Sequence, residues 1–142
     1  MVGLQTTIRR RISFVQPLGV VWYNYIVAHD KRMLMLAAKI AIKGGRSNRS
    51  FFLGAVGQRN DGVIMEARNI SATDYAPNHH AEARLVRKMT PDSTVWVARV
   101  SKRDGSWALA RPCEGCQIRM RFVGVRKVIY TIGPDEWGVM VL

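Results

Sequence analysis

Two short clusters hold the residues of this chain that could do chemistry: His80-Ala81-Glu82, and Pro112-Cys113-Glu114-Gly115-Cys116 about thirty residues later. One imidazole and two thiolates make three good zinc ligands, whereas a structural zinc site normally uses four. A three-ligand site keeps a position for water, whose pKa zinc lowers toward ~7. Glu82, two residues after the histidine, supplies a carboxylate that can move protons beside that water. The expected centre is catalytic, with His80, Cys113 and Cys116 as ligands and Glu82 as the acid-base group. Taken singly, each cluster has blander readings. His-x-Glu recurs by chance, and Cys-x-x-Cys also serves thioredoxin-like redox pairs and structural zinc sites.

The elements that must position these residues can be read from periodicity. Asp30 to Lys43 places Met33, Leu36, Ala37, Ile40 and Ala41 at helical spacing, with Gly44-Gly45 closing the helix. Phe51 to Val56 and Val63 to Ala67 read as strands around the turn Arg59-Asn60-Asp61-Gly62. Asn69 to Asn78 is loop-like in composition and leads to a helix starting near His79, whose apolar face is Leu85, Val86 and Met89. Thr94 to Val100 is apolar on both faces, Trp96, Ala98 and Val100 on one and Val95 and Val97 on the other, as suits a central strand. After a turn at Lys102 to Gly105 and a short extended piece at Trp107 to Ala110, Cys113 opens another helix. In it Cys113 and Cys116 share a face near the N-terminus, where the helix dipole favours thiolate. Ile118, Phe122 and Val123 are expected to pack that helix down and Gly124 to cap it. Strands at Val128 to Thr131 and Trp137 to Leu142 complete the chain. Strands alternating with helices imply an α/β layered sheet.

Bulk properties bound the rest. A length of 142 residues at 48% hydrophobic composition suits a single domain with an ordinary core. Both cysteines lie inside the motif, so no disulfide framework is implied, and an intracellular, cytoplasmic setting is expected. Residues 1–29 read as an N-terminal extension or docking arm and 30–142 as the catalytic domain. The apolar run from Ile12 to Ala28 is broken by Gln16, Pro17, Tyr23, Asn24 and Tyr25, which argues against a membrane span. With 22 basic against 10 acidic residues the net charge is +12, which points to an anionic partner or to a generally solvated basic surface. The basic residues run from Arg9 to Lys127 without forming one tract.

Together, the two clusters at this separation, with proline before the first cysteine, resemble the signature of the zinc-dependent cytidine/deoxycytidylate deaminase superfamily. The similarity runs from about Met33 to the C-terminus and leaves His29 outside it. It implies a three-layer fold in which a mixed five-stranded sheet carries two motif helices whose N-termini meet at Zn2+. It further implies attack at C4 of cytosine, with Glu82 shuttling protons, the Ala81 carbonyl accepting from the substrate amine, and Asn69 holding the sugar. Asn69 also suits a turn. Arg111 or Arg68 would meet a phosphate. His79 is expected as a loop or cap residue and His29 as simply exposed. Glu114 would contact substrate or solvate the helix start, and Trp107 and Tyr130 would either pack or stack a base.

Three substrate readings follow. The first is a free pyrimidine nucleotide or nucleoside, of the CMP/dCMP or cytidine/deoxycytidine type. The second is a base in single-stranded DNA or RNA, reached through the basic surface. The third is a catalytically silent zinc-binding module, against which the intact Glu82 argues. Gln117-Ile118-Arg119-Met120 departs from the small-residue run of tRNA adenosine deaminases, which favours cytosine over adenine. The resemblance also implies a homo-oligomer.

Overall fold

The computed structural model describes residues 5–9, 20–43, 51–68 and 81–142. Its elements are β1 (Gln5–Arg9), α1 (Val20–Lys43), β2 (Phe51–Gln58), β3 (Ile64–Arg68), α2 (Ala81–Val86), β4 (Ser93–Ser101), β5 (Trp107–Ala108), α3 (Glu114–Val123), β6 (Val125–Gly133) and β7 (Glu136–Val141). The strands make one mixed sheet in the order β1-β7-β6-β4-β2-β3, with β5 paired to β4. The expected five-stranded sheet is the run from β7 to β3. β1, from the N-terminal segment, adds a strand antiparallel to β7, and β5 adds a two-residue flap. The α/β architecture of a deaminase-like fold is thus present, with more strands than the spacing of apolar residues suggested.

The period-two alternation of β4 sets the layers. Val95 and Val97 lie in the core shared with α2 and α3, while Trp96, Ala98 and Val100 lie in the cores packed against α1. β4 runs antiparallel to β2 on one side and parallel to β6 on the other. Parallel neighbours require a crossover connection, and α3 is that connection. The hairpin from β2 to β3 follows the expected turn. Gly62 adopts φ 87°, Arg59 N–H donates to the Val63 carbonyl at 2.9 Å, and Asp61 Oδ1 accepts from Val63 N–H at 3.1 Å.

Two helices differ from expectation. α1 begins at Val20, ten residues before Asp30, so the expected boundary between residues 29 and 30 falls inside a continuous helix. Its buried face is Leu34, Ala37, Ala38, Ile40 and Ala41, with Met33 half-buried and Leu36 exposed. The small residues matter here, because Ala37 and Ala41 bring the α1 backbone onto Gly54 of β2. A Cβ at Gly54 would collide with the Ala37 carbonyl and lie 2.7 Å from the Ala41 nitrogen. In α3 the side chains that pack down are Cys116 and Met120 with part of Val123. Ile118 (55% exposed) and Phe122 (93% exposed) face solvent instead. Three- and four-residue spacings fit more than one helical face, and the sheet accepts the face that Cys116 and Met120 define.

Trp96 also supports a contact that periodicity does not reveal. Its Nε1 donates to Asp30 Oδ1 at 2.9 Å, and Asp30 is only 4% exposed. His29 stands edge-on to Trp96 at 5.7 Å, half-buried and not simply exposed. Burial raises the Asp30 carboxyl above its ordinary 3.8, opposed by the Trp96 hydrogen bond and by the charges of Lys127 and His29.

Gly54→Ala is expected to lower stability by about 1–3 kcal/mol, the usual range for overpacking, read as a drop in Tm. Because the folded-state pKa of Asp30 is raised, the native chain binds more protons than the unfolded one between 3.8 and the higher folded value. The contribution of Asp30 to stability is therefore full below 3.8 and falls as pH rises through that window. Asp30→Asn keeps an acceptor for Trp96, so chemical denaturation from pH 4 to 7 should show the variant gaining on the wild type as pH rises.

Candidate metal centre

Five of the six residues of α2 are buried: Ala81, Glu82, Ala83, Leu85 and Val86. Two alanines let this short helix sit close to the sheet and to α3. The remaining residue, Arg84, donates from Nη1 to the Arg68 carbonyl at 2.6 Å. Just beyond the helix, Lys88 Nζ donates to the Glu66 carbonyl at 2.9 Å. These bonds clamp α2 to β3 and leave Glu82, 3% exposed, held under the first turn. In the sequence, Arg84 and Lys88 look like ordinary surface cations. The signal that could have distinguished them is their place on the polar side of a helix otherwise made to be buried.

The cysteines are placed by a second set of bonds. Cys113 is the exposed N-cap of α3, in extended conformation, and Cys116 is 1% exposed one turn later. Gln117 Nε2 donates to the Pro112 carbonyl at 2.8 Å, and Gln117 N–H donates to the Cys113 carbonyl at 2.9 Å. Upstream, buried Thr131 ties the incoming segment to β4 and β6. Its hydroxyl donates to the Ala108 carbonyl at 2.7 Å and accepts from Arg99 N–H at 3.1 Å, and its carbonyl accepts from Ala110 N–H at 2.9 Å. Neither Gln117 nor Thr131 stood out as a site residue in the sequence. Gly124 closes the helix at φ 93°, as expected.

Glu82 and Cys116 meet in the core between α2 and α3, with the exposed Cys113 beside Cys116. The Glu82 carboxyl is in hydrogen-bonding contact with the Cys116 thiol, which also contacts the Cys113 side chain. Burial pushes Glu82 above its ordinary 4.5. The Cys116 thiol is pushed up as well, by burial first, then by the Glu82 charge and by Cys113. The expected thiolate-favouring influence of the α3 N-terminus is outweighed at Cys116 by this burial. Glu82 Oε1 is buried and has no hydrogen-bond partner among the described residues.

These features fit a cation. The buried Cys116 thiol and the Glu82 carboxyl beside it are both pushed up, and a divalent ion would reverse that by supplying positive charge. A water at such an ion would also satisfy the orphaned Oε1. Among the described residues no group of three potential ligands is gathered. His80, the third ligand expected from the sequence, lies with His79 and the expected sugar contact Asn69 outside the described residues.

The other sequence candidates are dispersed. Ala81 is fully buried at the start of α2, while Arg111 and Glu114 are exposed on either side of Pro112 and Cys113. Arg68 is exposed at the end of β3. Tyr130 is a core residue of β6, its ring against Gly138, where a Cβ would come within 2.9 Å. Trp107 is half-buried, edge-on to Trp137 at 6.3 Å. Neither ring is presented as a stacking surface at the centre.

Residues 27–132 match the family model described as the cytidine and deoxycytidylate deaminase zinc-binding region. The match takes in both clusters and includes His29, which the sequence reading left outside. A search of the curated proteins found no match. Cys116→Ser is expected to abolish stoichiometric zinc on the purified chain, measured by elemental analysis. Glu82→Gln should retain the metal if Glu82 has the acid-base role expected from the sequence, and lose it if Glu82 is a ligand.

Proposed function

Because the chain belongs to the zinc-binding cytidine and deoxycytidylate deaminase family, we propose that it hydrolyses cytosine to uracil in a free nucleotide or nucleoside, with Glu82 as the proton-transfer group. The observation that carries this reading is the buried Glu82 carboxyl held against Cys116 between α2 and α3. His80, Cys113 and Cys116 would hold the zinc, whose Lewis acidity makes water a nucleophile near neutral pH. Glu82 takes one proton of the attacking water and passes it to the ring nitrogen N3, then takes the proton of the new C4 hydroxyl and gives it to the amine, which leaves as ammonia when the C4–N bond breaks. Its burial excludes bulk water that would compete for those protons, and its raised pKa suits both accepting and returning them. The Ala81 carbonyl orients the exocyclic amine, Asn69 holds the sugar, and Arg111, exposed next to Pro112, meets a phosphate where the substrate carries one.

With this reading go an intracellular setting for the two thiols and self-association of the chain. Among the described residues no helix is long and apolar enough to cross a membrane. A second reading, a base in single-stranded DNA or RNA, is favoured by one observation: Phe122 and Arg121 lie exposed on the outer side of the helix that begins at the cysteines.

The zinc-loaded protein, offered cytidine, deoxycytidine, CMP, dCMP and single-stranded oligonucleotides, should release ammonia and uracil product from the monomers. Glu82→Gln should lower kcat by about 10²- to 10⁴-fold, the usual contribution of a positioned acid-base group. Uracil formed only in oligonucleotides would replace the first reading with the second. No turnover of any cytosine substrate would leave a zinc-binding module.

A further inference from the structure

Arg99 holds a position that no step of the chemistry above uses. On the α2/α3 side of the sheet β4 presents Val95, Val97 and then Arg99, because side chains two apart share a face. Val95 and Val97 are buried in the same core as Ala81 and Cys116, whereas Arg99 is exposed. α2 packs on β2 and β3, and α3 packs on β6. β4 lies between β2 and β6, so its side chains on this face lie under the seam between the two helices. The level along the strand is fixed as well. Arg84 of α2 is bonded to the Arg68 carbonyl, and Arg68 pairs through Gly54 with Ala98. The segment that leads to Cys113 starts at Ala108, the strand partner of Arg99. The far end of α3 is held at the start of β4, where Asp92 N–H donates to the Gly124 carbonyl at 2.8 Å. Both helices therefore begin near the carboxyl end of β4, at the level of Arg99, which is also where open α/β sheets take their ligands.

The guanidinium of Arg99 is held in readiness for an anion. It lies 4.3 Å from the centroid of the Phe51 ring. Phe51 shares the sheet face of Leu53 and Ala55, and Leu53 pairs with Arg99. Beneath it the strand is fixed by the bond from Arg99 N–H to the Thr131 hydroxyl. Stacking on a ring covers one face of a guanidinium and leaves the N–H groups at its edge for a bidentate anion. Among the described residues no carboxylate pairs with Arg99, in contrast to Arg59 and Arg126, which pair with Asp61 and Asp92. Arg111, three residues after Ala108, adds a second exposed cation on the segment that leads to Cys113.

We propose that Arg99, steadied by Phe51, is a specificity-determining residue of this centre that binds the phosphate of a nucleotide substrate. The proposal rests on the deaminase reading for the base and adds what selects the rest of the molecule. A nucleoside offers Arg99 no anion, so the residue separates nucleotide from nucleoside without touching the reacting ring.

Arg99→Met keeps a stem against Phe51 and removes the charge. On the full-length zinc-loaded chain it should lower kcat/KM for CMP or dCMP about 10- to 100-fold through KM, with kcat/KM for cytidine or deoxycytidine and the zinc content unchanged. Phe51→Leu should cost about 2- to 5-fold on the monophosphate alone, the loss expected when the guanidinium is no longer stacked. Binding of product, which is not consumed, reads the site without turnover. By calorimetry dUMP should bind the wild type at least about 10-fold more tightly than Arg99→Met, while deoxyuridine binds both alike. A loss shared equally by nucleosides and nucleotides would overturn the proposal. So would full nucleotide affinity in Arg99→Met, no binding of dUMP by the wild type, or an equal Arg99 dependence for d(TTUTT), whose phosphates are internal. Deamination of nucleosides with dUMP affinity indifferent to Arg99 would keep the deaminase reading and sink this one; Arg99-dependent dUMP binding without turnover of any cytosine substrate would do the reverse.

Discussion

The parallel pairing of β4 with β6 is the constraint on which the rest of the structure depends. Parallel strands cannot be joined by a tight turn, so the chain must leave the end of β4, cross the sheet and re-enter beside it. α3 makes that crossing on the face already occupied by α2. Any residue at the start of α3 is therefore delivered toward the first turn of α2. That is where Cys113, Cys116 and Glu82 stand, and their encounter follows from the topology before any side chain contributes attraction.

What the crossing brings together is then held by bonds that have little to do with catalysis. Thr131 spans the junction where β5 departs from β4, so the segment leading to Pro112 has little freedom. Gln117 closes the turn in front of α3. Arg84 and Lys88 fasten α2 to the carbonyls of β3. A functional group held by neighbours that are themselves tied to a sheet loses little further freedom when it acts, which is the physical content of preorganisation. The opposite face of the sheet answers a different need. There α1 lies so close to β2 that glycine alone fits at position 54, and a buried carboxylate, Asp30, is tolerated because Trp96 donates to it.

Polar groups in this fold divide by whether their partner is on the chain. Asp30 and Thr131 are satisfied internally. Glu82 keeps one oxygen without a partner among the described residues, at the place where the thiols converge. An unsatisfied buried carboxylate oxygen costs stability, and folds retain such groups chiefly where a ligand or water completes them. Glu82 and Asp30, two buried acids on opposite faces of one sheet, thus differ in that Asp30 is completed by Trp96 whereas Glu82 keeps an oxygen that the proposed chemistry would use.

The sequence by itself determined the family and the local elements. Ligand-type residues three apart near a helix start, a carboxylate two residues after a histidine, an Asp-Gly turn and the double apolar alternation of β4 are all short-range features, carried by neighbours along the chain. The tertiary structure decided orientation and burial. Ile118 and Phe122 fit the helical period as well as Met120 does, and only the position of α3 over the sheet turned Met120 in and Phe122 out. The start of α1 at Val20, the pairing of β1 with β7 and the partnership of Asp30 with Trp96 likewise rest on contacts between distant segments. The raised pKa values of Glu82 and Cys116 belong to the same class, because desolvation depends on how many neighbours exclude water and not on the identity of the residue alone.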